Sequence, residues 1–227
     1  DAAAYQLEGS AFRVAATETQ FGEMNPAVRI RVSGAEIPVI GRIDRIDLWP
    51  GRERYVRVVD YKSSRYHDLD YAKLYYALQL QLPIYLAAAS EMFSARPAGA
   101  YYLPAVGLVP QTDARDPAEV DRARREKLAL TGVTASDPEI IQASTPHPRE
   151  VLGIRIKKDG TPWANDPVVP PESLAALGEY ALAEAARIAE ALRAVEAQVR
   201  PVKLGDSSSC DLCEFAAACA VDAPPLR

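Results

Sequence analysis

Cysteine, histidine and positive charge are all scarce in this chain of 227 residues. It has three cysteines and two histidines, and 31 acidic residues against 26 basic ones give a formal net charge of −5. An acidic chain has no surplus of the basic side chains that grip DNA by its phosphates, so we do not expect tight DNA binding by this chain alone. No apolar run approaches the roughly 20 residues that cross a bilayer, so the sequence predicts no membrane span.

The chain does contain enough apolar material for a core. Hydrophobic residues make up 48% of it, which suits one domain of ordinary size. We interpret residues 1–227 as a single domain, in which residues 205–227 form a C-terminal segment that carries all the cysteines.

Two acids and a lysine lie at the ends of two predicted neighbouring strands. The sequence runs Gly41-Arg42-Ile43-Asp44 and then, sixteen positions after Asp44, Asp60-Tyr61-Lys62. Because strand side chains alternate between faces, Asp60 and Lys62 project to the same side of the sheet. Two carboxylates about 4 Å apart repel by roughly 4 kcal/mol at an effective dielectric near 20, and a divalent cation between them turns repulsion into binding. The alternative is an ordinary surface ion pair between Asp60 and Lys62, worth about 0 to 1 kcal/mol.

The rest of the pattern predicts strands and helices around this hairpin. We expect extended structure over 11–32, a central hairpin formed by 35–48 and 54–62, a strand over 98–104 and a hairpin over 151–163. Helices are predicted over 69–93, over 117–131 and from Pro171 to a point before Pro201. The apolar positions of the last helix are expected to be core residues: Leu174, Leu177, Ala181, Ala185, Ile188, Leu192, Val195 and Val199.

The predicted helix 69–93 carries polar residues that face the acidic strand ends. Gln81 and Tyr85 are four positions apart and therefore share one helix face. Pro83 lacks a backbone donor, which predicts a kink near Gln79. We interpret the remaining aromatic and apolar positions as a core stripe: Tyr71, Tyr75, Leu78, Leu82 and Leu86.

Several motifs in this order resemble the RecB-type nuclease domain of the PD-(D/E)XK superfamily, in particular the C-terminal nuclease domains of AddB subunits of bacterial AddAB helicase-nucleases. The motifs are the runs from Gly41 to Asp47, Asp60 to Ser64 and Gln81 to Tyr85, followed by Cys210-Asp211-Leu212-Cys213 and Cys219. The resemblance implies an α/β fold: a restriction-endonuclease-like core with a central mixed β-sheet flanked by helices, and a C-terminal cysteine cap.

The resemblance also implies a chemistry, which is hydrolysis of DNA phosphodiester bonds. Asp44, Asp60 and the Tyr61 backbone carbonyl would hold Mg²⁺ or Mn²⁺. Lys62 would orient the attacking water or stabilise the transition state. Gln81 and Tyr85 would complete the catalytic set, by hydrogen-bonding DNA phosphates or by orienting the lysine. The implied partners are a single DNA strand and an AddA-like helicase-nuclease subunit, in the bacterial cytoplasm.

Two further acids are assigned by position. Similar nucleases take another metal ligand, a His or Glu, from a helix upstream of the first strand. No such helix is apparent in this sequence, and Glu18 is a weak substitute. Asp47 has the opposite strand parity to Asp44, so we assign Asp44 to the site and Asp47 to a structural role.

The cysteines have metal-ligand spacing but are one ligand short. Cys210, Cys213 and Cys219 supply three thiolates, whereas structural zinc and cubane clusters use four protein ligands, and neither histidine, His67 or His147, has a fitting position. The resemblance implies a [4Fe-4S] cluster whose fourth cysteine lies outside this chain, so we expect the chain to start part-way through a longer protein. The alternative is three unrelated buried thiols, or a disulfide with one spare thiol.

Two other functions remain open at this point. Some relatives keep the fold and lose the acids, which would make this chain a non-catalytic DNA-binding or scaffold module. The joint presence of five candidate site residues argues against that interpretation: Asp44, Asp60, Lys62, Gln81 and Tyr85. A stand-alone RecB-like exonuclease is the other alternative.

Overall fold

The structure, a computed structural model, describes residues 2–23, 28–51, 53–63, 68–104, 116–196, 201–205, 207–211 and 213–219. In chain order the elements are α1 (Ala2–Leu7), β1 (Arg13–Phe21), β2 (Arg29–Val32), β3 (Ala35–Pro38), β4 (Gly41–Trp49), β5 (Tyr55–Lys62), α2 (Tyr71–Tyr75), α3 (Gln81–Phe93), β6 (Arg96–Pro104), α4 (Pro117–Lys127), β7 (Thr131–Ala135), α5 (Pro138–Ser144), α6 (Pro148–Leu152), β8 (Val168–Val169), α7 (Pro171–Arg193), β9 (Lys203–Leu204), β10 (Ser207–Ser208) and α8 (Ala216–Cys219). The expectations for Ser64, His67 and Val199 fall outside the described residues.

A six-stranded mixed sheet forms the centre of the molecule. Its strand order is β1-β4-β5-β6-β7-β8. The β1–β4, β4–β5 and β6–β7 pairs are antiparallel, whereas β5–β6 and β7–β8 are parallel. Strands β2 and β3 form a separate antiparallel hairpin, and so do β9 and β10. The predicted α/β class with a central mixed sheet flanked by helices is therefore confirmed.

Alternation along β5 sends its side chains into two different cores. Val56 and Val58 belong to a cluster that includes Leu82 and Leu86 of α3, on the face that α3 and α7 cover. Val59 belongs to a second cluster that includes Leu103 of β6, on the opposite face. Both faces of β5 are covered, which is why its sequence reads as a nearly continuous apolar run before the charged end.

The central hairpin is confirmed, with different limits. β4 and β5 pair from Arg45–Val59 to Trp49–Tyr55, and Pro50-Gly51 lies in the turn between them. Residues 35–38, expected at the start of this hairpin, belong instead to β3 and pair with β2.

The predicted helix 69–93 is wrong, because the structure breaks it into α2 and α3. The Asp70 carboxylate caps α2 by accepting from the backbone N–H groups of Ala72 and Lys73. The chain then turns through Ala77, whose φ is 58°, a left-handed conformation that ends a helix. Pro83 lies in the first turn of α3, where its missing N–H needs no helical partner. It therefore does not cause the expected kink near Gln79.

The core stripe expected for this region is wrong in its first half. Leu82 and Leu86 are buried in the core, but Tyr71, Tyr75 and Leu78 are exposed. The stripe assumed one continuous helix, and the break at Ala77 removes the common face that a continuous helix would have had.

The other elements differ from expectation mainly at their ends. β6 confirms the strand predicted over 98–104, and α4 confirms the charged helix but ends at Lys127. The hairpin predicted over 151–163 is reduced to one bridge between Ile156 and Pro162, since its first residues belong to α6.

The last long helix is shorter than predicted, and its stripe is only partly core. α7 ends at Arg193. Leu174 and Ala181 are buried, but Leu192 is 72% exposed and Val195, beyond the helix, is 82% exposed. Among the described residues, no helix is both long and apolar enough to cross a membrane.

Candidate active site

The candidate site lies where β4 and β5 part. Their ladder ends at the Arg45–Val59 pair. Beyond it, the N–H of Tyr61 donates to the carboxylate Oδ2 of Asp44 at 2.8 Å. Asp44 is half-buried and lies beside the strand segment that carries Asp60 and Lys62. Continuing the ladder register by one residue puts Asp44 opposite Asp60.

A buried acid and a half-buried lysine are in direct contact at the end of β5. Lys62 Nζ lies 2.7 Å from Asp60 Oδ2. Asp60 is only 3% exposed. Burying a carboxylate this far from water is costly unless a cation lies beside it, and Lys62 supplies that cation.

Gln81 and Tyr85 extend this contact into α3. Lys62 Nζ also donates to Gln81 Oε1 at 2.6 Å, and Gln81 Nε2 donates to the Tyr85 hydroxyl at 3.0 Å. The second bond fixes the orientation of the amide, so its oxygen faces the lysine. The predicted shared helix face of Gln81 and Tyr85 is confirmed, and the break before α3 puts Gln81 in the first position of the helix.

Gly41 of the first motif allows an aromatic ring to support Tyr85. The Phe21 and Tyr85 rings meet edge to face with centroids 6.0 Å apart. A Cβ on Gly41 would lie 2.6 Å from the Phe21 ring, closer than real contacts allow. A glycine is therefore required here, because the Phe21 ring occupies the space that a side chain would fill.

Tyr102 of β6 forms the floor of the site. Lys62 Nζ lies 5.3 Å from the centroid of the Tyr102 ring, within cation–π range. Burial raises the pKa of the Tyr102 hydroxyl to about 12, despite the hydrogen bond that Gln79 donates to it at 3.3 Å. The phenol therefore remains neutral at physiological pH, and its ring presents a negative face to the ammonium.

Asp47 lies in a separate buried cluster with two arginines. Arg45 binds it through two hydrogen bonds of 2.8 and 2.7 Å, and Arg57 Nε donates to it at 2.9 Å. All three side chains are at most 1% exposed. Burial alone would raise the pKa of the Asp47 carboxyl, but the hydrogen bond from Arg45 and the charge of Arg57 outweigh it, so that pKa lies below its ordinary value.

A helix precedes the first strand, and its residues Ala2–Leu7 include neither a His nor a Glu. It is α1, and its polar residue Gln6 is buried and accepts a hydrogen bond from Arg45 Nη1 at 2.8 Å. Gln6 thus belongs to the Asp47 cluster. Glu18 lies between the Thr17–Arg45 and Thr19–Ile43 pairs, which puts it across from Asp44, but its exposed side chain pairs with Arg42 at 3.1 Å.

Within the described part of the chain, the site contains two acids, Asp44 and Asp60. No group of three or more His, Cys, Asp or Glu side chains there has metal-binding proximity. The oxygen donors at this end of the hairpin are the Asp44 and Asp60 carboxylates, which the strand register puts opposite each other. Mg²⁺ is held in many proteins by one or two carboxylates together with waters and substrate phosphates, so this donor set fits it.

The cysteines lie apart from these acids in sequence and are not disulfide-bonded. Cys210 is half-buried, whereas Cys213 and Cys219 are exposed. The interpretation as three buried thiols or a disulfide is therefore wrong. Backbone turns hold the segment together: Cys213 N–H donates to the Cys210 carbonyl at 3.1 Å, and Cys219 N–H to the Phe215 carbonyl at 3.0 Å.

Sequence reasoning did not identify Tyr102 or Gln79 as parts of the site. Gln79 Oε1 accepts from the Asp70 N–H, and its Nε2 donates to the Asp68 carbonyl and to Tyr102. Gln79 and Tyr102 line an open cleft of about 290 Å³, together with Lys62, Lys73 and Gln81. Strand alternation along the predicted strand 98–104 indicates which face Tyr102 is on. That Tyr102 lies next to Asp60 follows only from the parallel β5–β6 register, which the sequence does not reveal.

The sequence matches a protein family and several individual proteins. The chain matches the family model described as the PD-(D/E)XK nuclease superfamily over residues 2–220. It is similar to the B-type subunits of bacterial ATP-dependent helicase/deoxyribonucleases: 35% identical to that of Moorella thermoacetica and 35% identical to that of Symbiobacterium thermophilum, in each case over 93% of this chain. The corresponding protein of Clostridioides difficile is 26% identical over 96% of the chain.

These relatives are much longer than this chain. The matched region covers 20%, 19% and 20% of the three proteins, so the chain spans about a fifth of their length. The family model, by contrast, matches residues 2–220, so the nuclease family is assigned to this chain and not to other parts of the longer relatives.

Proposed function

Because the chain belongs to the PD-(D/E)XK nuclease superfamily, we propose that it is a metal-dependent deoxyribonuclease domain that hydrolyses DNA phosphodiester bonds. The observation that carries the proposal is the 2.7 Å contact between Lys62 Nζ and the buried Asp60 carboxylate. A surface ion pair contributes little and is solvated on both sides, whereas Asp60 is 3% exposed. A buried charged pair at an open cleft favours a chemical role.

Asp44, Asp60 and the Tyr61 carbonyl are the proposed ligands of Mg²⁺ or Mn²⁺. Oxygen donors suit these hard cations, and two carboxylates leave coordination positions for water and for the substrate phosphate. A cation bound there would acidify a water molecule and neutralise charge on the scissile phosphate.

Lys62 is the proposed catalytic residue beside these carboxylates. An ammonium has three N–H donors, and one of them bonds to Gln81 Oε1. In our proposal, another N–H of Lys62 is directed to the attacking water or to a phosphate oxygen, where negative charge increases in the transition state. Gln81 and Tyr85 are positioning residues, because they act on the substrate through Lys62.

We also propose that the natural protein is an AddB-like subunit that works with an AddA-like helicase-nuclease subunit on DNA ends in the bacterial cytoplasm. The names of the relatives support this assignment. The net charge of −5 favours a strand that is delivered to the site by other parts of the assembly over one that this region captures alone.

The function is tested by incubating this chain with end-labelled single-stranded DNA in Mg²⁺ and, in parallel, in EDTA. We expect fragments only with the metal and only with an intact Asp60. Cleavage that persists in EDTA, or in an Asp60→Asn variant, would contradict a metal site at this position and point to a contaminating nuclease.

Replacing Gln81 with alanine is expected to lower kcat roughly 10- to 100-fold, the range for losing a hydrogen bond to a charged group of about 1.5 to 3 kcal/mol. KM and thermal stability should change little, because Gln81 holds Lys62 rather than the DNA. Steady-state kinetics with a melting curve separate these effects.

Gln81→Glu is the matched control, because glutamate keeps an oxygen acceptor for Lys62. It should restore much of the rate that Gln81→Ala loses. Equal losses in both variants, or a loss confined to KM, would contradict the positioning role.

We further propose that Cys210, Cys213 and Cys219 ligate a [4Fe-4S] cluster with a fourth cysteine outside this chain. Their spacing within ten residues of sequence and the exposure of Cys213 and Cys219 support this proposal. The cluster would be a structural staple, because closing a loop on the order of 200 residues restricts the unfolded chain by roughly 5 kcal/mol.

Replacing Cys213 with serine in the longer natural protein should therefore abolish the visible absorbance of the cluster and lower the melting temperature. Metal analysis after oxygen-free purification should find iron in the unsubstituted protein. Stoichiometric zinc without iron would exclude the cluster.

A further inference from the structure

The central sheet splits at the candidate site. On one side of the split, β4 stays paired with β1 as far as Gly41. On the other side, β5 stays paired with β6 as far as Lys62. Between β4 and β5 the ladder has already ended by this point. Asp44 and Asp60 therefore belong to different halves of the split, and the separation of their carboxylates depends on what spans it.

Tyr61 is the residue of β5 that spans this split. Its backbone N–H donates to the Asp44 carboxylate at 2.8 Å. Its side chain projects to the face opposite to that of Asp60, because neighbours on a strand alternate. That is the face of Val59, which pairs with Arg45. The phenol therefore lies diagonally across from the Arg45 side chain, a separation that an aromatic side chain can bridge.

The Tyr61 phenol and the Arg45 guanidinium are in hydrogen-bonding contact. The guanidinium directs two N–H donors to Asp47 and one to Gln6, and the Tyr61 hydroxyl accepts another. Burial alone would lower the pKa of Arg45, but the hydrogen bond and charge of Asp47 and the hydrogen bond to Tyr61 together raise that pKa. Tyr61 thus holds two consecutive residues of β4, Asp44 through its backbone and Arg45 through its side chain.

Arg45 is a fixed anchor for this contact. It is 1% exposed, and Asp47 binds it through two hydrogen bonds. Gln6, which accepts from Arg45 at 2.8 Å, is itself held because its Nε2 donates to the Leu128 carbonyl at 2.9 Å. A buried side chain bound from several directions has little freedom to move, so Tyr61 is the residue that the contact positions.

We propose that Tyr61 is a positioning residue, whose anchored side chain closes the split and so sets the separation of the Asp44 and Asp60 carboxylates. The phenol does not touch the cation, because it lies on the other face of the strand. This proposal rests on the proposed metal site and adds which cations suit it. Mg²⁺ demands near-ideal octahedral geometry with short bonds, whereas Ca²⁺ accepts longer and more variable ones. A fixed carboxylate separation therefore favours Mg²⁺.

Hydrogen exchange of the amide at position 61, followed by NMR on the ¹⁵N-labelled chain without added metal, tests the closure. Tyr61→Phe removes the hydroxyl and keeps the ring and the backbone. We expect this amide to exchange at least about tenfold faster in Tyr61→Phe, the factor for losing one hydrogen bond to a charged group. Tyr55→Phe is the matched control, because Tyr55 begins the same strand and its hydroxyl donates to Glu53. That variant should leave the exchange at position 61 unchanged.

Cation affinities of the same three proteins test the consequence for the site. Mg²⁺ and Ca²⁺ are titrated as competitors of Mn²⁺, and the electron paramagnetic resonance signal of released Mn²⁺ reports each affinity. Tyr61→Phe should bind Mg²⁺ about tenfold more weakly than the unsubstituted chain and Ca²⁺ at most about threefold more weakly, because Ca²⁺ tolerates a less exact site. A general loosening of the fold would weaken both cations alike.

Unchanged exchange at position 61 in Tyr61→Phe, or an equal loss of affinity for Mg²⁺ and Ca²⁺, would overturn the positioning role. Failure of the proposed metal site gives a different pattern. The amide at position 61 then loses protection in Tyr61→Phe and keeps it in Tyr55→Phe, but none of the three proteins binds a cation. In that case Tyr61 still positions Asp44, and the metal site alone is wrong.

Discussion

Replacing Lys62 with alanine is expected to lower DNA cleavage by this chain at least about 100-fold, because removing one preorganised transition-state donor commonly costs 10²- to 10³-fold in kcat. Lys62 contacts Asp60 and Gln81 but is not a fold-forming core residue, so binding of oligothymidylate and the melting temperature should change much less. Initial cleavage rates on labelled single strands, with binding measured separately, give the comparison.

Lys73→Ala is the matched control for charge. Lys73 lines the same cleft, and its replacement removes the same unit charge, but it lies on α2 rather than on the strand that carries Asp60. The variant should weaken binding and leave kcat nearly intact. Equal cleavage rates for Lys62→Ala and the unsubstituted chain would contradict the catalytic role of Lys62 and favour the alternative of an ordinary ion pair between Asp60 and Lys62.

Replacing Asp47 with asparagine is expected to destabilise the fold by about 3 to 5 kcal/mol, the usual cost of leaving a buried charge without its partner. Here two guanidinium groups, those of Arg45 and Arg57, would lose the only carboxylate that the structure shows bonded to them within the described residues. That is a large part of the roughly 5 to 15 kcal/mol that stabilises a typical domain. Chemical denaturation measures the change.

Asp44→Asn is the control for the Asp47 variant. Asp44 lies on the same strand, is half-buried, and can be replaced by an amide whose oxygen still accepts from Tyr61 N–H. The Asp44→Asn substitution should change the free energy of unfolding by well under half of the change that Asp47→Asn causes. Equal stability of Asp47→Asn and the unsubstituted chain would contradict the structural assignment of Asp47.

Asp47 also makes the stability depend on pH in a definite direction. Its pKa is lowered in the folded state from the ordinary value of 3.8, so its contribution is complete above about pH 4 and is lost as the pH falls through the folded-state pKa. Denaturation midpoints below pH 4 should fall less steeply in Asp47→Asn than in the unsubstituted chain.

Strand alternation was sufficient to predict the pairing at the heart of the site. The parity of Asp60 and Lys62, and the opposite parity of Asp44 and Asp47, can be read along single strands. The hairpin turn then brings β4 beside β5 without any long-range information. Gln81 and Tyr85 were predictable for the same reason, since their spacing is a property of one helix.

Contacts between distant parts of the chain were not predictable in this way. Gln6 reaches Arg45 across 39 positions, and α1 is a six-residue helix too short for a periodic pattern. The break between α2 and α3 depends on the Asp70 cap and on Gln79 bonds to backbone and to Tyr102. None of these alters the apolar pattern, which is why a single helix over 69–93 was predicted.

The exposed end of α7 shows the limit of periodicity itself. Leu192 and Val195 continue the spacing of buried Leu174 and Ala181, yet both are exposed. Periodicity identifies the face of a helix, but the extent of the surface that packs against that face is decided by the rest of the fold.

The central claim is that Asp44 and Asp60 of neighbouring strands share one divalent cation. Calorimetric titration of this chain with Mn²⁺ tests it without reference to activity, using Asp44→Asn and Asp60→Asn beside the unsubstituted protein. We expect binding by the unsubstituted chain and at least about a tenfold loss of affinity in each variant, equivalent to about 1.4 kcal/mol. Binding of Mn²⁺ with the same affinity by all three proteins would contradict the shared site.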